Sequence, residues 1–551
     1  MPVSALFASI LVLSETADRP FNSPRALAEL LRLEGVNDLE TAPLEAISPE
    51  LLDGRSLVVL GPSDPAVKAV DLLLAHVESG GGLICLSPGE AFAGRLGLEH
   101  PFTGRMHSRV RVPFDEFPEA GLPVRGWAHH YCPSASIDAE EIASLLDHDG
   151  RPTNTPAIFQ FPHGKGKIIV AAYDLAACVY LLRQGNPLLA GCRSLGFSRM
   201  RPADLFQDWQ DAQTAEHPVA DLHAHLLREL VCRAWPDDTV LPWLWYFPED
   251  ADTLLVLTSD DDWSTREQFE TLIDACERHD ARLTFYLIQG KSVMDRPWLE
   301  ALLDRGFDFS IHPNLPVPSL PDWDTRLTDH VRQFRETYGR PPGCSIRNHA
   351  VVWAGYLEGA RIQARHGFAF DTNYFSILPH GRSYMAGAGL PARFVDLTGE
   401  VLPIFQLPSQ YSDETTLGGQ GFEWSLDLTP EQGIDLITGV IQRNATTQHS
   451  MLCVNAHPVS FATYSSPMWA PVLQFARDHR IPVWNAGRFA RFWQARRQVR
   501  LRPIPTGQPF PAISPPETPG LSAMIPVSHP TPGAKTRILC GRTFAAMPLD
   551  S

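Results

Sequence analysis

Five times between Leu254 and His457 an apolar run of strand length ends in a carboxylate, a guanidinium or an imidazole. "TLLVLTSDDDW" runs into Asp260, Asp261 and Asp262, and "GFDFSIHP" ends at His312. "GCSIRNHAVVW" delivers Arg347 and His349, "GFAFDTNY" delivers Asp371, and "SMLCVNAHP" delivers His457. Strands that carry their charge at the carboxyl end suit a βα barrel, where those ends meet on one rim and the loops there build the site. Three adjacent aspartates repel one another and, away from water, need a positive partner. Solvent, an arginine or a metal ion could supply it.

At 551 residues the chain exceeds one ordinary domain, and its 44% apolar and 20% charged content suits folded units. A net charge of −17 without a basic stripe argues against nucleic-acid binding. No apolar stretch reaches the roughly 20 residues that span a bilayer. The opening "MPVSALFASILVLSETADRP" has no Lys or Arg before its apolar core. It reads as a first strand rather than a secretory signal, and a cytoplasmic protein is expected. The scattered cysteines contain no C-x-x-C and read as reduced thiols.

Residues 1–205 alternate strand-like runs ("ALFASILVLS", "SLVVLGP", "GLICLSP", "KGKIIVAAYDL") with helical spacings, which predicts an open, mostly parallel α/β sheet. "HGKGK", His163 to Lys167, lacks P-loop spacing and reads as a turn. The helix followed by "SGGGLICLSPG" resembles the glutamine-amidotransferase-like fold, whose catalytic members carry a cysteine on the strand-to-helix turn. Here Cys85 lies inside the strand, so the resemblance implies a domain without that activity. Residues 206–250 read as a connecting segment, and 251–499 as a second α/β series. Residues 500–551 read as a proline-rich linker with two short strands, "LSAMIPV" and "TRILCGRTFA". "VADLHAHLLREL" offers Asp221, His223 and His225 in a D-x-H-x-H pattern. Its apolar residues follow a helical period, and on a helix the two histidines point apart, so no shared ion is expected.

The strand-end residues resemble the motifs of the polysaccharide deacetylase family, the NodB homology domain, over about Leu254 to Phe492. Thr258-Ser259-Asp260-Asp261-Asp262 is similar to its T-F-D-D-G, with Asp262 where glycine is usual. His312 matches the first histidine of H-[ST]-x-x-H, and Pro316 replaces the second. Arg347 opens the third motif, with His349 where proline is usual. Asp371 matches the fourth motif, and Val454-Asn455-Ala456-His457 the fifth. The resemblance implies a deformed (β/α) barrel and a site that hydrolyses an amide carbon–nitrogen bond.

By that match Asp260 is the general base, paired with Arg347, and His457 is the general acid, oriented by Asp371. One divalent metal ion, Zn²⁺ by its ligand set, is expected on Asp261, His312 and His349, with Asn314 a rival to His349. Trp263, Trp353, Tyr374 and Trp424 are candidates for stacking on a sugar ring. The insertion between Asp371 and His457, with "SYMAGAGLPARF" and "PSQYSDETTLGGQGFEW", suits a lid or platform. The expected substrate is an N-acetylated amino sugar or polysaccharide. A metal-independent hydrolase of a small amide or ureide and a carbohydrate-binding pseudoenzyme are the alternatives.

Overall fold

In the computed structural model, residues 9–15, 19–193, 199–209, 211–315, 319–375, 387–422, 424–508, 520–527 and 535–549 are described. The first strand is Ile10–Ser14, and residues 1–8 of the expected run lie outside the described residues. Short runs that are apolar on both faces pair in parallel, because helices cover both sides of the sheet. Leu39–Pro43, Ile10–Ser14, Leu57–Leu60, Gly82–Leu86 and Gly166–Ala171 stand side by side in that order. Antiparallel strands continue the sheet through Pro152–His163, Glu140–Leu146, Arg109–Arg111 and Leu122–Pro123. This antiparallel half was not read from the sequence. The "HGKGK" stretch is the hairpin turn between Pro152–His163 and Gly166–Ala171.

Cys85 sits within Gly82–Leu86, where burial pushes its thiol pKa up. The turn that follows holds Ser87 at φ 48°, a left-handed backbone at a strand-to-helix corner. A nucleophile on such a corner relies on the N–H of the next residue to hold an oxyanion. The next residue is Pro88, which has no N–H.

The barrel begins at Leu255. Its strands are β1 (Leu255–Asp260), β2 (Thr284–Leu287), β3 (Asp308–Ile311), β4 (Ser345–Ile346), β5 (Phe370–Asp371), β6 (Val401–Gln406), β7 (Tyr411–Ser412) and β8 (Leu452–Asn455). They form two parallel arcs, ordered β3-β2-β1-β8-β7 and β4-β5-β6. Between β3 and β4 the described residues form no ladder, and isolated bonds cross there, among them from the Gly343 N–H to the Phe309 carbonyl and from Ser310 Oγ to the Gly343 and Ser345 carbonyls. At the other junction no ladder joins β6 to β7 among the described residues, and a parallel bridge links Phe375, after β5, to Ser409, just before β7. The barrel is deformed at these two seams.

Val219–Ala234 is helical, and its D-x-H-x-H residues have separate partners. His223 meets Tyr173 and the Pro123 carbonyl, whereas His225 Nδ1 lies 3.0 Å from the Glu34 carboxylate. Asp221 pairs with Arg183 at 3.0 Å and accepts from the Gly389 and Leu390 N–H groups. The described part of "SYMAGAGLPARF" is thus clamped, while residues 383–386 lie outside the described residues. The tail strands Ser522–Pro526, Thr536–Leu539 and Arg542–Pro548 form a four-stranded sheet with Trp243–Leu244. No helix among the described residues is long and apolar enough to cross a membrane.

Arg496, at the end of the helix Ala486–Arg496, joins the units. Its guanidinium donates to the carbonyls of Trp245 at 2.7 Å, Leu244 at 2.7 Å and Leu33 at 3.0 Å. Leu33 ends the helix Pro24–Leu33, whose terminal carbonyls lack intrahelical donors. Gly35, at φ 81°, leaves the space this needs, since a Cβ there would lie 2.7 Å from Arg496 Nη2. Arg496→Met keeps much of the volume and strands these buried carbonyls. It should lower the urea midpoint by an amount equivalent to about 3–5 kcal/mol.

Candidate active site

Arg347 follows β4 and is completely buried. Its Nη1 lies 2.8 Å from Thr258 Oγ1, 3.2 Å from Asp260 Oδ1 and 2.5 Å from Asn455 Oδ1. Nε donates to the Thr372 carbonyl and Nη2 to Ser409 Oγ. The Tyr286 and Phe375 rings lie 5.1 and 5.2 Å from its central carbon. A single side chain therefore ties β1 and β8 to the loops after β5 and β6. It also fixes one oxygen of Asp260, while Asn455 Nδ2 reaches the other at 3.3 Å.

The carboxylate that meets the imidazoles is Asp262, not Asp261. Side chains alternate along a strand, so Thr258, Asp260 and Asp262 share a parity and Asp261 has the other. Asp262 and Trp263 then take left-handed φ values of 40° and 61°, which turn the chain over the rim. Asp262 Oδ1 lies 3.4 Å from His312 Nε2 and 3.8 Å from His349 Nε2, and Oδ2 lies 3.6 Å from His457 Nε2. Burial opposes its charge, but His312, His457 and His349 outweigh that and hold its pKa well below the usual carboxylate range. Asp261 faces Ser292 and the Ile288 amide, and burial raises its pKa.

His312 Nδ1 donates to the Arg347 carbonyl at 2.9 Å, which leaves Nε2 to face Asp262. Such a backbone bond is how metal-binding imidazoles are commonly oriented. Asp262 Oδ1 is buried and has no hydrogen-bond partner among the described residues. Burial and His312 beside it lower the His349 pKa and favour its neutral form, which has a lone pair to offer. His312 is different: burial lowers its pKa, but Asp260 and Asp262 outweigh that and raise it. The Oδ1 corner thus calls for a positive charge, either a proton on His312 or a cation. Asp262, His312 and His349 are not a set whose ligand atoms all lie within 4.8 Å of one another; among the described residues of the cleft, Asp262, Glu414 and His457 are such a set.

His457 is oriented by Asp413, not by Asp371. Its Nδ1 lies 2.6 Å from Asp413 Oδ1, and its backbone N–H donates to Oδ2 at 2.9 Å. Burial lowers the His457 pKa, but Asp413 and Glu414 overcome this and raise it well above the ordinary value. Nε2 also faces Asp260 Oδ2 at 3.8 Å. Burial pushes the neighbouring Glu414 up to about 7. Asp371 is held instead by the Asn373 N–H and Nδ2, at 3.1 and 2.6 Å. Asp413 and Glu414 were missed because β7 spans two residues, too few to show a period. The available signal was the helix-start pattern of Ser412 and Thr415 around them.

These groups surround a cleft of about 240 Å³ lined by Asp260, Asp262, His312, His349, Glu414 and His457, with Arg201 and Trp424 on its wall. Asn314 is not among the lining residues, so it is not placed as a rival ligand. Trp353 and Tyr374 are buried against each other at 5.4 Å and belong to the packing beneath the loops. Trp263 is 47% exposed on the rim, edge-on to His349 and beneath the Lys291 ammonium. Trp424 stacks on Phe422 at 5.0 Å.

No family model matches the chain. No curated protein matches it either. Among solved structures, Agd3, described as a novel carbohydrate deacetylase, aligns over 99% of this chain and 97% of its own, at 9% identity and TM-score 0.41. A protein from Mycobacterium smegmatis assigned as a polysaccharide deacetylase aligns over 48% of this chain and 97% of its own, at 14% identity and TM-score 0.35. Puue allantoinase aligns over 45% and 93%, at 12% identity and TM-score 0.36. With TM-scores below 0.5, these are likenesses only.

Burial raises the Asp371 pKa to about 6, against about 3.9 in an unfolded chain. Its stability contribution is therefore complete below about pH 4 and is lost as pH rises through 6. Asp371→Asn removes that dependence. Between pH 4 and pH 7.5 the variant should gain about 2 kcal/mol relative to wild type, read from urea midpoints at the two pH values.

Proposed function

We propose that the chain is a metal-dependent hydrolase of a carbon–nitrogen amide bond and that it removes the acetyl group from an amino sugar or polysaccharide. The observation that carries this reading is the pair Asp260 and His457, which face each other beside Asp262. Each is fixed by its own buried charged partner, Arg347 and Asp413. An ion here would sit on Asp262, which has the His312 and His349 imidazoles on its Oδ1 and Glu414 within 4.8 Å, an N/O set of the kind that suits Zn²⁺. An ion held there would polarise the acyl carbonyl and lower the pKa of a nearby water.

Asp260 takes the proton as that water's oxygen adds to the acyl carbon. Arg347 and Asn455 hold both of its oxygens so that the carboxylate cannot swing away. His457, charged because of Asp413 and Glu414, then gives its Nε2 proton to the nitrogen as the carbon–nitrogen bond breaks. The products are acetate and an amine. A metal-independent hydrolase of a small amide is the second reading. It is favoured by the raised pKa of His312, whose proton could satisfy Asp262 without an ion.

Acetate release from acetylated amino-sugar oligomers and polymers tests the activity. Asp260→Asn should cut kcat by about 10²–10⁴-fold while the fold persists. Chelation should abolish turnover and added Zn²⁺ restore it, and turnover that survives chelation selects the second reading. Elemental analysis after dialysis should find the metal lost from Asp262→Asn and retained in Asp261→Asn. No acetate from wild type with any added divalent ion overturns the proposal.

A further inference from the structure

A groove of about 660 Å³ lies at the end of the barrel away from the cleft. Val483 lines it and pairs with Leu255, the first residue of β1, whereas Asp260 closes that strand about 16 Å further on. The volume is that of a small-molecule site. Five arginines from three stretches of chain line the groove: Arg282, Arg477 with Arg480, and Arg488 with Arg491. Glu249, Asp250 and Asp280 line it as well. In a chain of net charge −17 this lining is positive on balance.

Several of these arginines are held in place without being neutralised. Arg282 Nε and Nη1 donate to the Arg305 and Ala281 carbonyls at 2.6 and 2.8 Å, and Arg477 Nη1 to the Arg278 carbonyl at 2.6 Å. The Arg488 guanidinium carbon lies 3.9 Å from the ring centre of buried Trp484, and a guanidinium over a ring keeps its in-plane N–H donors for oxygen acceptors. Arg491 follows three residues later on the same face of the helix Ala486–Arg496. Burial lowers the Arg488 pKa, Glu249 opposes this and Arg491 adds to it, so the groups feel one another. Yet among the described residues no ion pair joins any of the three acids to any of the five arginines, and the side-chain donors of Arg480, Arg488 and Arg491 have no hydrogen-bond acceptor. Elsewhere on the barrel surface Arg266, Arg296 and Arg332 do pair with acids on their own helices.

A concave surface that keeps unpaired guanidiniums and carboxylates side by side suits a ligand with both an anionic group and hydroxyl donors. We propose that this groove is a second binding site, for an anionic sugar. The ligand is a hydroxyl-bearing ring with a phosphate or carboxylate substituent, its anion on Arg480, Arg488 and Arg491 and its hydroxyls donating to Glu249 and Asp280. The groove shares no lining residue with the cleft, so the deacetylase reading is not involved.

Isothermal titration of the full chain with glucose 6-phosphate and with tri-galacturonate tests this. One or both should bind one-to-one with a Kd below about 1 mM, and glucose and inorganic phosphate at least about tenfold more weakly. Binding of the phosphorylated sugar alone assigns the substituent as phosphate, and binding of the uronate alone assigns it as carboxylate. Arg491→Gln should weaken binding about tenfold, as loss of one charge-assisted hydrogen bond does. Arg332→Gln, on the helix Leu320–Tyr338 outside the groove, should leave it unchanged. Urea midpoints report on folding, and Arg480→Gln carries the test if Arg491→Gln does not fold. Absence of binding by both sugars overturns the assignment. So does glucose or inorganic phosphate binding as tightly as the anionic sugars, an Arg332→Gln loss equal to that of Arg491→Gln, or unchanged binding in the groove variants.

Discussion

A fully buried guanidinium is costly unless its donors find acceptors, and Arg347 reaches five oxygens on β1, β8 and the loops after β5 and β6. The barrel is open at two seams, where backbone ladders do not hold the arcs together. Arg347 spans that interior and brings one charge to Asp260. Its backbone carbonyl sets the His312 ring, so one residue orients both a carboxylate and an imidazole. The site's shape and its electrostatics therefore share a single support.

Around that support the charges are arranged in opposition. Asp262 sits among three imidazoles and is held ionised, while His457 sits among Asp413, Glu414 and Asp262 and is held protonated. Such divergence between neighbours keeps an ionised carboxylate and a protonated imidazole in one cleft at the same pH. The joint between the units follows a similar logic. Arg496 satisfies carbonyls of Leu33, Leu244 and Trp245, and Glu34 receives His225, Arg228 and Tyr246.

The α/β organisation was legible because strand-length apolar runs ending in charge recur from Leu254 to His457. The convergence of Asp260, His312, Arg347, His349 and His457 follows from placing those ends on one rim. The choice between Asp261 and Asp262 was also latent in strand parity, but the family match aligned the triplet by residue type rather than by face. Asp413 was hidden because the strand before it spans only two residues, too few to show a period. Trp353 and Tyr374 were candidates for stacking on a sugar ring because they lie near strand ends, but sequence position alone does not separate a platform from packing, and both are buried against each other. Nothing local in the sequence announced that Arg201, more than fifty positions before Leu255, would reach the cleft, since that depends on packing between units.

The Ser87 corner bears on what the first sheet could become. A thiol placed at that position would sit on the right kind of bend, yet the proline behind it offers no amide to receive a negative oxygen. A chemically competent elbow would need at least two changes, the second in the backbone itself. Without that amide the bend can turn the chain from strand to helix but gives a negative oxygen nowhere to rest.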